Sequence, residues 1–536
     1  MVTYASVRAA EADQLAAIGA QFRHLAARMV HRAEDVTTAW SRLADSWTGE
    51  TSAAAAHRCR GLAEAWRAAS FATLASDQIL CELAAAIRQA QAILHDAHAM
   101  AAAAGVGIEA RGGVVLTGDD VVPSFSRLQG IAPIVRRIED GVELAAQADA
   151  EAAGRLAELL SWLPVDAAAP VSRASTVPAF GTDPRLVRTW WAGLTPSEQE
   201  GLLLHRPDAV GRLDGVPVGV RDLANRVRLE AERDHLRRRR KDLLAEAPTR
   251  LTRAELSRVD AHLRGLDALL ARLADPSRPR AYLLDLTADG DGQAVVAIGD
   301  PDHATDVLTF VPGAGSDLSG IGGVVDRAEL VAKRAAQLGP DHRVAAIAWL
   351  GYDAPDGPAA AGAGAAHDAE GALDRFQDGL RATHEGERSH NTVLGHSYGT
   401  LTAGVTARDA GLDADDLVFV GSPGVGVDRV GELRLPAGHV WSSTAANDPV
   451  QRFAPGFGQI LADTLANLRD PFSFHHYGDA RPDVLLWHGR NPSADSFSAR
   501  VFTSDPDGGH GGYWQGSGLD NLARITLGGR QQQDVR

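Results

Sequence analysis

Apolar residues recur at helical spacing through the first hundred residues of the chain. From Leu15 to Leu43 they fall on steps of three, four and seven positions, and a second stripe of this kind runs from Thr51 to about Ala104. Such steps place side chains on one face of an α-helix. The turn-like Trp47-Thr48-Gly49 separates the stripes. We therefore predict two long helices that form an antiparallel hairpin around this turn.

The middle of the chain is also predicted to be helical. Residues 124–163 form one helical stretch, and residues 222–245 and 252–274 form a second hairpin. Between them, residues 164–184 hold four prolines among Ala, Ser and Thr, which indicates a linker.

After residue 280 the pattern changes to short β-branched runs that alternate with helical segments. This alternation is typical of βαβ units with a largely parallel sheet. We predict eight strands, at 282–286, 294–298, 307–311, 344–350, 392–394, 417–420, 439–443 and 500–503. The first two are joined by residues 288–292, whose Asp and Gly content indicates a hairpin turn. The predicted division is therefore a helical hairpin domain at 1–120, a helical region at 121–279 and an α/β domain at 280–536.

Composition narrows the class of protein but gives no function. The 536 residues are 45% hydrophobic and 23% charged, an ordinary globular balance that leaves room for about three domains. The formal net charge of −16 argues against a nucleic-acid partner. No uninterrupted apolar run of about 18 residues and no secretory signal pattern occur, so we expect no transmembrane segment and a cytoplasmic default location. Cys59 and Cys81 lie on one predicted helix, about 33 Å apart, too far for a disulfide.

One motif carries candidate chemistry. Gly395-His396-Ser397-Tyr398-Gly399 follows the fifth predicted strand and precedes the helix-compatible run 400–410. A Gly-x-Ser-x-Gly sequence at a strand-to-helix turn is a nucleophile elbow, in which Gly395 and Gly399 let the strand and the helix approach closely. Ser397 is the predicted nucleophile. The alternative is a glycine-rich turn with a capping serine.

A nucleophilic serine needs a base and an acid that orients the base, and behind such an elbow the acid precedes the histidine along the chain. Asp448 follows the seventh predicted strand, and His510 follows the eighth. We predict these two as the acid and the base. The competing candidates are Asp505, Asp507, His475, His476, His488 and His396.

The predicted oxyanion hole needs two backbone N–H donors. One comes from Tyr398, and the other from the loop after the third strand, at Ala314 or, as second choice, Gly313. This glycine-rich loop lacks the dinucleotide-binding spacing because Leu318 stands where the third glycine is needed. Phosphate-loop, zinc-protease and EF-hand patterns are also missing from the sequence, so we predict no cofactor and no metal.

Two resemblances extend this interpretation. Residues 185–530 resemble an actinobacterial α/β-hydrolase family of unknown function, through 190–194, 206–215, 221–226, 349–352, 395–399, 421–424 and His510. The resemblance implies an α/β-hydrolase fold and serine-hydrolase chemistry, most often on esters. Residues 5–104, with Trp47-Thr48-Gly49, resemble the WxG-type hairpins associated with type VII secretion. That resemblance implies a WxG-type helical partner. No Tyr-x-x-x-Asp/Glu export signal directly follows the second helix, so export by a type VII-like route would depend on a partner that carries this signal. The alternative is a plain helical hairpin.

We therefore predict a carboxylic-ester hydrolase, an esterase or lipase, that works through a Ser397–Asp448–His510 triad and a covalent acyl-enzyme. Its substrate would be a small-molecule or lipid ester. Two alternatives stay open: an amidase or peptidase that uses the same triad, and a secretion-linked interaction or effector protein. Residues 453–497, rich in aromatic side chains, form either an apolar lid or an ordinarily packed excursion.

Overall fold

The computed structural model describes residues 2–44, 46–116, 125–159, 177–275, 277–445, 447–452, 485–505 and 508–529. The chain divides into two compact units, Met1–Arg173 with Ala274–Arg280, and Ala174–Leu273 with Ala281–Arg536. The division into regions 1–120, 121–279 and 280–536 stays a prediction.

The first unit is built from long helices. Helix α1 spans Tyr4–Ala9, α2 Ala12–Ala44, α3 Glu50–Ala104 and α4 Phe125–Leu159, and the short strands β1 (Val106–Ile108) and β2 (Val114–Leu116) pair antiparallel. The predicted hairpin is present as α2 and α3. The turn between them places Gly49 at φ 118° and leaves Trp47 partly exposed. The WxG resemblance itself stays a prediction.

A buried ion pair fixes the register of α2 against α3. Arg23 contacts the buried carboxylate of Asp77 at 3.1 Å, and a Cβ on Gly19 would lie 2.8 Å from Asp77 Oδ1. The helices therefore approach closely at this level. Among the described residues, α3 is the one helix long and apolar enough to cross a membrane, a test that core helices of soluble proteins also pass, and half of its most apolar stretch is buried.

The second unit contains an eight-stranded sheet and the helices that cover it. Its first helices are α5 (Pro184–Ala192), α6 (Pro196–His205), α7 (Pro207–Val210), α8 (Val218–Ala245) and α9 (Arg250–Ala274). Its strands are β3 (Ala281–Thr287), β4 (Gln293–Ile298), β5 (Asp306–Val311), β6 (Val344–Leu350), β7 (His390–His396), β8 (Asp416–Val420), β9 (Val440–Ser443), β10 (Leu485–Leu486), β11 (Gly489–Arg490) and β12 (Arg500–Val501). The later helices are α10 (Ile321–Leu338), α11 (Gly364–Thr383), α12 (Tyr398–Asp409) and Gly516–Thr526.

The strand order across the sheet is β12-β9-β8-β7-β5-β6-β4-β3, while β10 and β11 form a separate hairpin. Within this sheet, β4 pairs antiparallel with both of its neighbours, β3 and β6, and all other neighbouring strands pair parallel. Residues of α8, α9 and α10 join one apolar core, and residues of α11 and α12 join the other. The predicted mostly parallel sheet of eight strands is confirmed. Its inner strands are buried along their length, as expected for a sheet covered on both faces.

Helix α8 closes the open edge of the sheet with polar side chains. Its side chains reach the outer backbone groups of the edge strand β3, which would otherwise be free to pair with another chain. Three of them donate to β3 carbonyls, and a fourth accepts: Arg221 to Leu284 O (3.0 Å), Asn225 to Leu283 O (3.1 Å), Arg226 to Ala281 O (3.0 Å), and Asp222 from Leu283 N (2.7 Å). The segment 221–226, singled out in the sequence, is therefore an edge-capping segment.

We predict that Asp222→Ala destabilises the second unit strongly. Asp222 is fully buried and holds Arg226 at 2.8 Å, so its removal leaves a buried guanidinium without its carboxylate. Breaking such a pair costs about 3–5 kcal/mol. Urea unfolding measures the loss, and Asp242→Ala, at an exposed position of the same helix, is the control. Equal unfolding midpoints for the two variants would contradict the edge-capping role.

Candidate active site

The turn after β7 holds Ser397 in a strained backbone conformation. Its φ of 54° makes it one of three non-glycine residues with positive φ in the described parts of the chain. Strand β7 ends at His396 and α12 begins at Tyr398, so Ser397 is the single residue between them. A Cβ on Gly395 would lie 2.7 Å from Gly399 O, and one on Gly399 would lie 2.2 Å from Val311 O. Both predicted elbow glycines are therefore required for the close approach at this turn.

A carboxylate and an imidazole meet at the same edge of the sheet. Asp448 follows β9 and is buried, while His510 follows β12 and is partly exposed. Nδ1 of His510 lies 2.9 Å from Asp448 Oδ1 and 3.0 Å from Oδ2. A Cβ on Gly421, at the end of β8, would lie 2.9 Å from Asp448 Oδ2 and 3.2 Å from His510 Cε1. The pair thus packs against the end of the strand next to β7.

A contact from a side chain of the elbow to the backbone of His510 links this pair to the elbow. His396, which immediately precedes Ser397, has Nε2 2.8 Å from the backbone oxygen of His510, and the centroids of the two rings are 4.6 Å apart. The carboxyl ends of the parallel strands β7 and β9 and the segment after β12 therefore bring Ser397, Asp448 and His510 to one region. Ligands of open α/β sheets bind outside these strand ends.

The sequence is similar to a known protein family and to mycobacterial proteins. A family described as "Alpha/beta hydrolase" matches residues 288–458. The uncharacterized protein Mb0988c of Mycobacterium bovis is 37% identical over 205 residues, which are 37% of this chain and 77% of that protein. The chain belongs to the α/β-hydrolase family. The uncharacterized protein Rv2079 of Mycobacterium tuberculosis is 30% identical over 350 residues, 61% of this chain, and the chain spans about half (52%) of its length.

Two solved esterase structures are similar to part of the chain at low scores. Esterase LipW from Mycobacterium marinum has 13% identity and a TM-score of 0.28 over 53% of this chain and 92% of its own. The hyperthermophilic esterase from the archaeon Pyrobaculum calidifontis has 15% identity and a TM-score of 0.25 over 55% and 96%. At these scores neither likeness supports an argument about function.

In this α/β-hydrolase the loop after β5 lies against the elbow serine. A Cβ on Gly313 would lie 2.6 Å from Ser397 Cβ and 3.2 Å from Ser397 Oγ, whereas Ala314 is exposed in the same loop. Tyr352 donates its hydroxyl to Pro312 O at 2.7 Å, and Gly315 N donates to Pro355 O at 3.1 Å. The loop is therefore held at both ends, and its buried Gly313 lies next to the hydroxyl of Ser397.

Asp448 is held by more donors than the sequence indicated. Tyr513 donates to Asp448 Oδ2 at 2.6 Å, and Val450 N donates to Oδ1 at 2.9 Å. Burial raises the pKa of Asp448, but the hydrogen bonds from His510, Tyr513 and Val450 outweigh burial and lower the pKa below its ordinary value. Burial beside this carboxylate raises the pKa of Tyr513, so its hydroxyl stays protonated and donates. Asp448 is thus kept ionised.

Other sequence candidates fall elsewhere. His475, His476 and Asp507 lie outside the described residues, as do 453–484 of the proposed lid. His488 directs Nε2 toward Ala360 O at 3.2 Å and packs edge-on against Tyr398. The backbone carbonyl of Asp505 accepts from Gly508 N at 3.0 Å. Tyr513 is not among the residues predicted from the sequence, where its position three residues after His510 is the one available signal.

We predict that Tyr513→Phe destabilises the protein in a pH-dependent way. At neutral pH the variant should be less stable by about 1–3 kcal/mol, because Asp448 loses a donor and Ala445 N loses its acceptor at 3.0 Å. The folded pKa of Asp448 is lowered, so its stabilising contribution is present above about pH 3.8 and is lost as pH falls through the folded pKa. The gap between wild type and variant should therefore narrow below about pH 4.

Urea unfolding at pH 7, 5, 4 and 3 measures this gap. The matched control is Tyr352→Phe, which removes a buried hydroxyl that donates to a carbonyl and not to a carboxylate. Its cost should stay constant over the same range. A constant gap for Tyr513→Phe would show that Tyr513 does not act through the charge of Asp448.

Proposed function

We propose that the chain is a serine hydrolase that cleaves carboxylic esters, with Ser397 as nucleophile, His510 as general base and Asp448 as the acid that orients it. One observation carries the proposal. A strained serine at the end of β7 shares the carboxyl edge of the sheet with a hydrogen-bonded Asp–His pair, and a contact from the His396 side chain to the His510 carbonyl joins the two. A nucleophile, a base and an orienting acid in this relation support acyl transfer.

The proposed reaction follows from the groups present. His510 takes the proton from Ser397 Oγ as that oxygen attacks the acyl carbonyl, and Asp448 stabilises the imidazolium. His510 then passes the proton to the departing alkoxide, which leaves as the alcohol. Water, deprotonated by His510, attacks the Ser397 ester, and His510 returns the proton to Ser397 Oγ as the acid leaves. The triad is compatible with amide substrates also, so hydrolysis of an amide or peptide is the alternative reaction.

The negative oxygen of the intermediate would be held by the N–H of Tyr398 and by an N–H of the loop at Gly313 or Ala314. The position of Tyr398 supports this role. Its hydroxyl donates to Gly362 O at 2.7 Å and accepts from Ala366 N at 3.3 Å, which anchors the first residue of α12. The positive end of the dipole of α12 also points at this place.

The proposed substrate is a small-molecule or lipid ester, without a cofactor. A WxG-type partner for the α2–α3 hairpin, and export by a type VII-like route as opposed to a cytoplasmic location, stay predictions from the resemblance of residues 5–104.

Replacement of the serine tests the nucleophile. Ser397→Ala should abolish labelling by a fluorophosphonate probe and lower kcat/KM on p-nitrophenyl esters by about 10³-fold or more, because the attacking oxygen is gone. Ser504→Ala, which removes another hydroxyl near His510 in sequence, should label like wild type. A parallel panel of amides separates the two reactions. Undiminished labelling of Ser397→Ala would refute the assignment.

A methyl group on the loop tests the space around Ser397. Gly313→Ala places a Cβ within 2.6 Å of Ser397 Cβ, so the loop or the serine must shift. We expect fluorophosphonate labelling to slow on the order of 100-fold, as for a displacement of about 1 Å at reacting atoms. Gly323→Ala on α10, where a Cβ meets no atom within 4 Å, is the control. Circular dichroism checks that both variants fold, and equal labelling rates would contradict the prediction.

A further inference from the structure

We propose that His396 is a positioning residue that fixes the backbone of His510 relative to Ser397 through a hydrogen bond from its imidazole Nε2 to the His510 carbonyl. The inference rests on the proposed function. In the sequence, His396 is one of the competing candidates for the base, but a side chain next to Ser397 in the chain cannot easily serve that residue. In the structure that side chain points to the other member of the proposed proton-transfer pair.

The chemistry of the contact determines which ring nitrogen carries the proton. Nε2 lies 2.8 Å from His510 O, and a carbonyl oxygen can only accept. Nε2 of His396 must therefore be the protonated nitrogen. The ring is also clamped by aromatic side chains, with Trp514 edge-on at 4.9 Å and Tyr513 at 6.1 Å between centroids. The side chain is thus held in one orientation.

The segment that carries His510 needs such a tether. The sequence there is Gly508-Gly509-His510-Gly511-Gly512, so two glycines stand on each side of the histidine. Glycine has the largest conformational freedom of any residue, and its ordering on folding costs the most entropy. Asp448 holds the imidazole of His510, and Gly512 N donates to Gly509 O at 2.9 Å within the segment, but neither contact ties the backbone of His510 to β7. The bond from His396 supplies a second point of attachment on β7.

The charge state of His396 suits this role. Burial lowers the pKa of His396 to about 3, and the nearby His510 and Arg327 also lower this pKa, whereas the hydrogen bond to the His510 carbonyl and the charge of Asp448 act in the opposite direction. The ring is therefore neutral at neutral pH. A neutral His396 does not repel the imidazolium that forms on His510 during the reaction. Its neighbours in the ring contacts, Tyr513 and Trp514, add no charge.

Three substitutions separate positioning from bulk packing. In His396→Gln the amide Nε2 reaches about as far as the imidazole Nε2 and can donate to the same carbonyl. His396→Asn is polar but too short, and His396→Leu has no donor. We expect kcat to fall about 10- to 100-fold in the Asn and Leu variants, with KM within about twofold, as for a displaced base. The Gln variant should keep kcat within about threefold.

The readouts are kcat and KM on a p-nitrophenyl ester, the rate of fluorophosphonate labelling and the acid limb of the pH profile. The pH midpoint of this acid limb should shift in the Asn and Leu variants and should stay at the wild-type value in the Gln variant. A packing role would affect only the melting temperature. His384→Leu is the matched control, because His384 also contacts backbone carbonyls, at 2.7 Å and 3.2 Å, away from His510. It should keep wild-type kcat.

Each outcome decides one proposal. If wild type is not labelled and hydrolyses no ester or amide, the proposed function fails. If wild type reacts and the Asn and Leu variants react equally fast, the positioning role is wrong. If the Leu variant does not fold, the comparison of Asn with Gln decides, and equal losses of kcat in those two variants would overturn the hydrogen-bond argument.

Discussion

The positive φ of Ser397 is the constraint on which the site depends. A non-glycine residue in such a conformation costs about 1–3 kcal/mol and persists only where its surroundings hold it. Here β7 is paired on both sides, with β5 and with β8, and Ser397 N donates to Val420 O at 3.1 Å. Helix α12 starts at the next residue and is buried along most of its length. A central strand and a buried helix together fix the turn, and the absence of side chains at Gly395 and Gly399 makes it possible.

The edge of the sheet at β3 depends on buried polar side chains that must all be paired. Four polar residues of α8, at 221, 222, 225 and 226, are buried, and each makes hydrogen bonds to backbone groups of β3 or to one another. Buried charges are tolerated only when they are paired. Further along α8 stands the basic run Arg237-Arg238-Arg239-Arg240-Lys241, whose composition is compatible with a solvated helix face or with a contact to an anionic surface. Arg237, Arg239 and Arg240 contact acidic side chains at the surface, which fits a solvated helix face better than a binding site for an anionic surface.

The sequence predicted the sheet because parallel strands buried on both faces must be continuous apolar runs. The run 344–350 coincides with β6, and 307–311 lacks only the first residue of β5. By contrast β7 extends beyond 392–394 to His390 and His396, since its ends are polar and apolar pattern alone does not reveal them. The order of Ser397, Asp448 and His510 was readable because strand ends are ordered along the chain. The contacts of Tyr513 and His396 were not, because they join residues 65 and 114 positions apart.

The residues of the proposed site are also held in two different ways, some by the strands that they follow and one by contacts from distant parts of the chain. Ser397 and Asp448 follow strands of the sheet, and Asp448 gains donors from Tyr513 and Val450. His510 instead stands among four glycines, and a Cβ on Gly509 or Gly511 would meet no atom within 4 Å. Such a glycine-rich segment cannot by itself set the position of its imidazole. The position must come from residues elsewhere on the chain. Contacts from β7 and from the loop after β9 meet this need while leaving the segment itself free of bulky side chains.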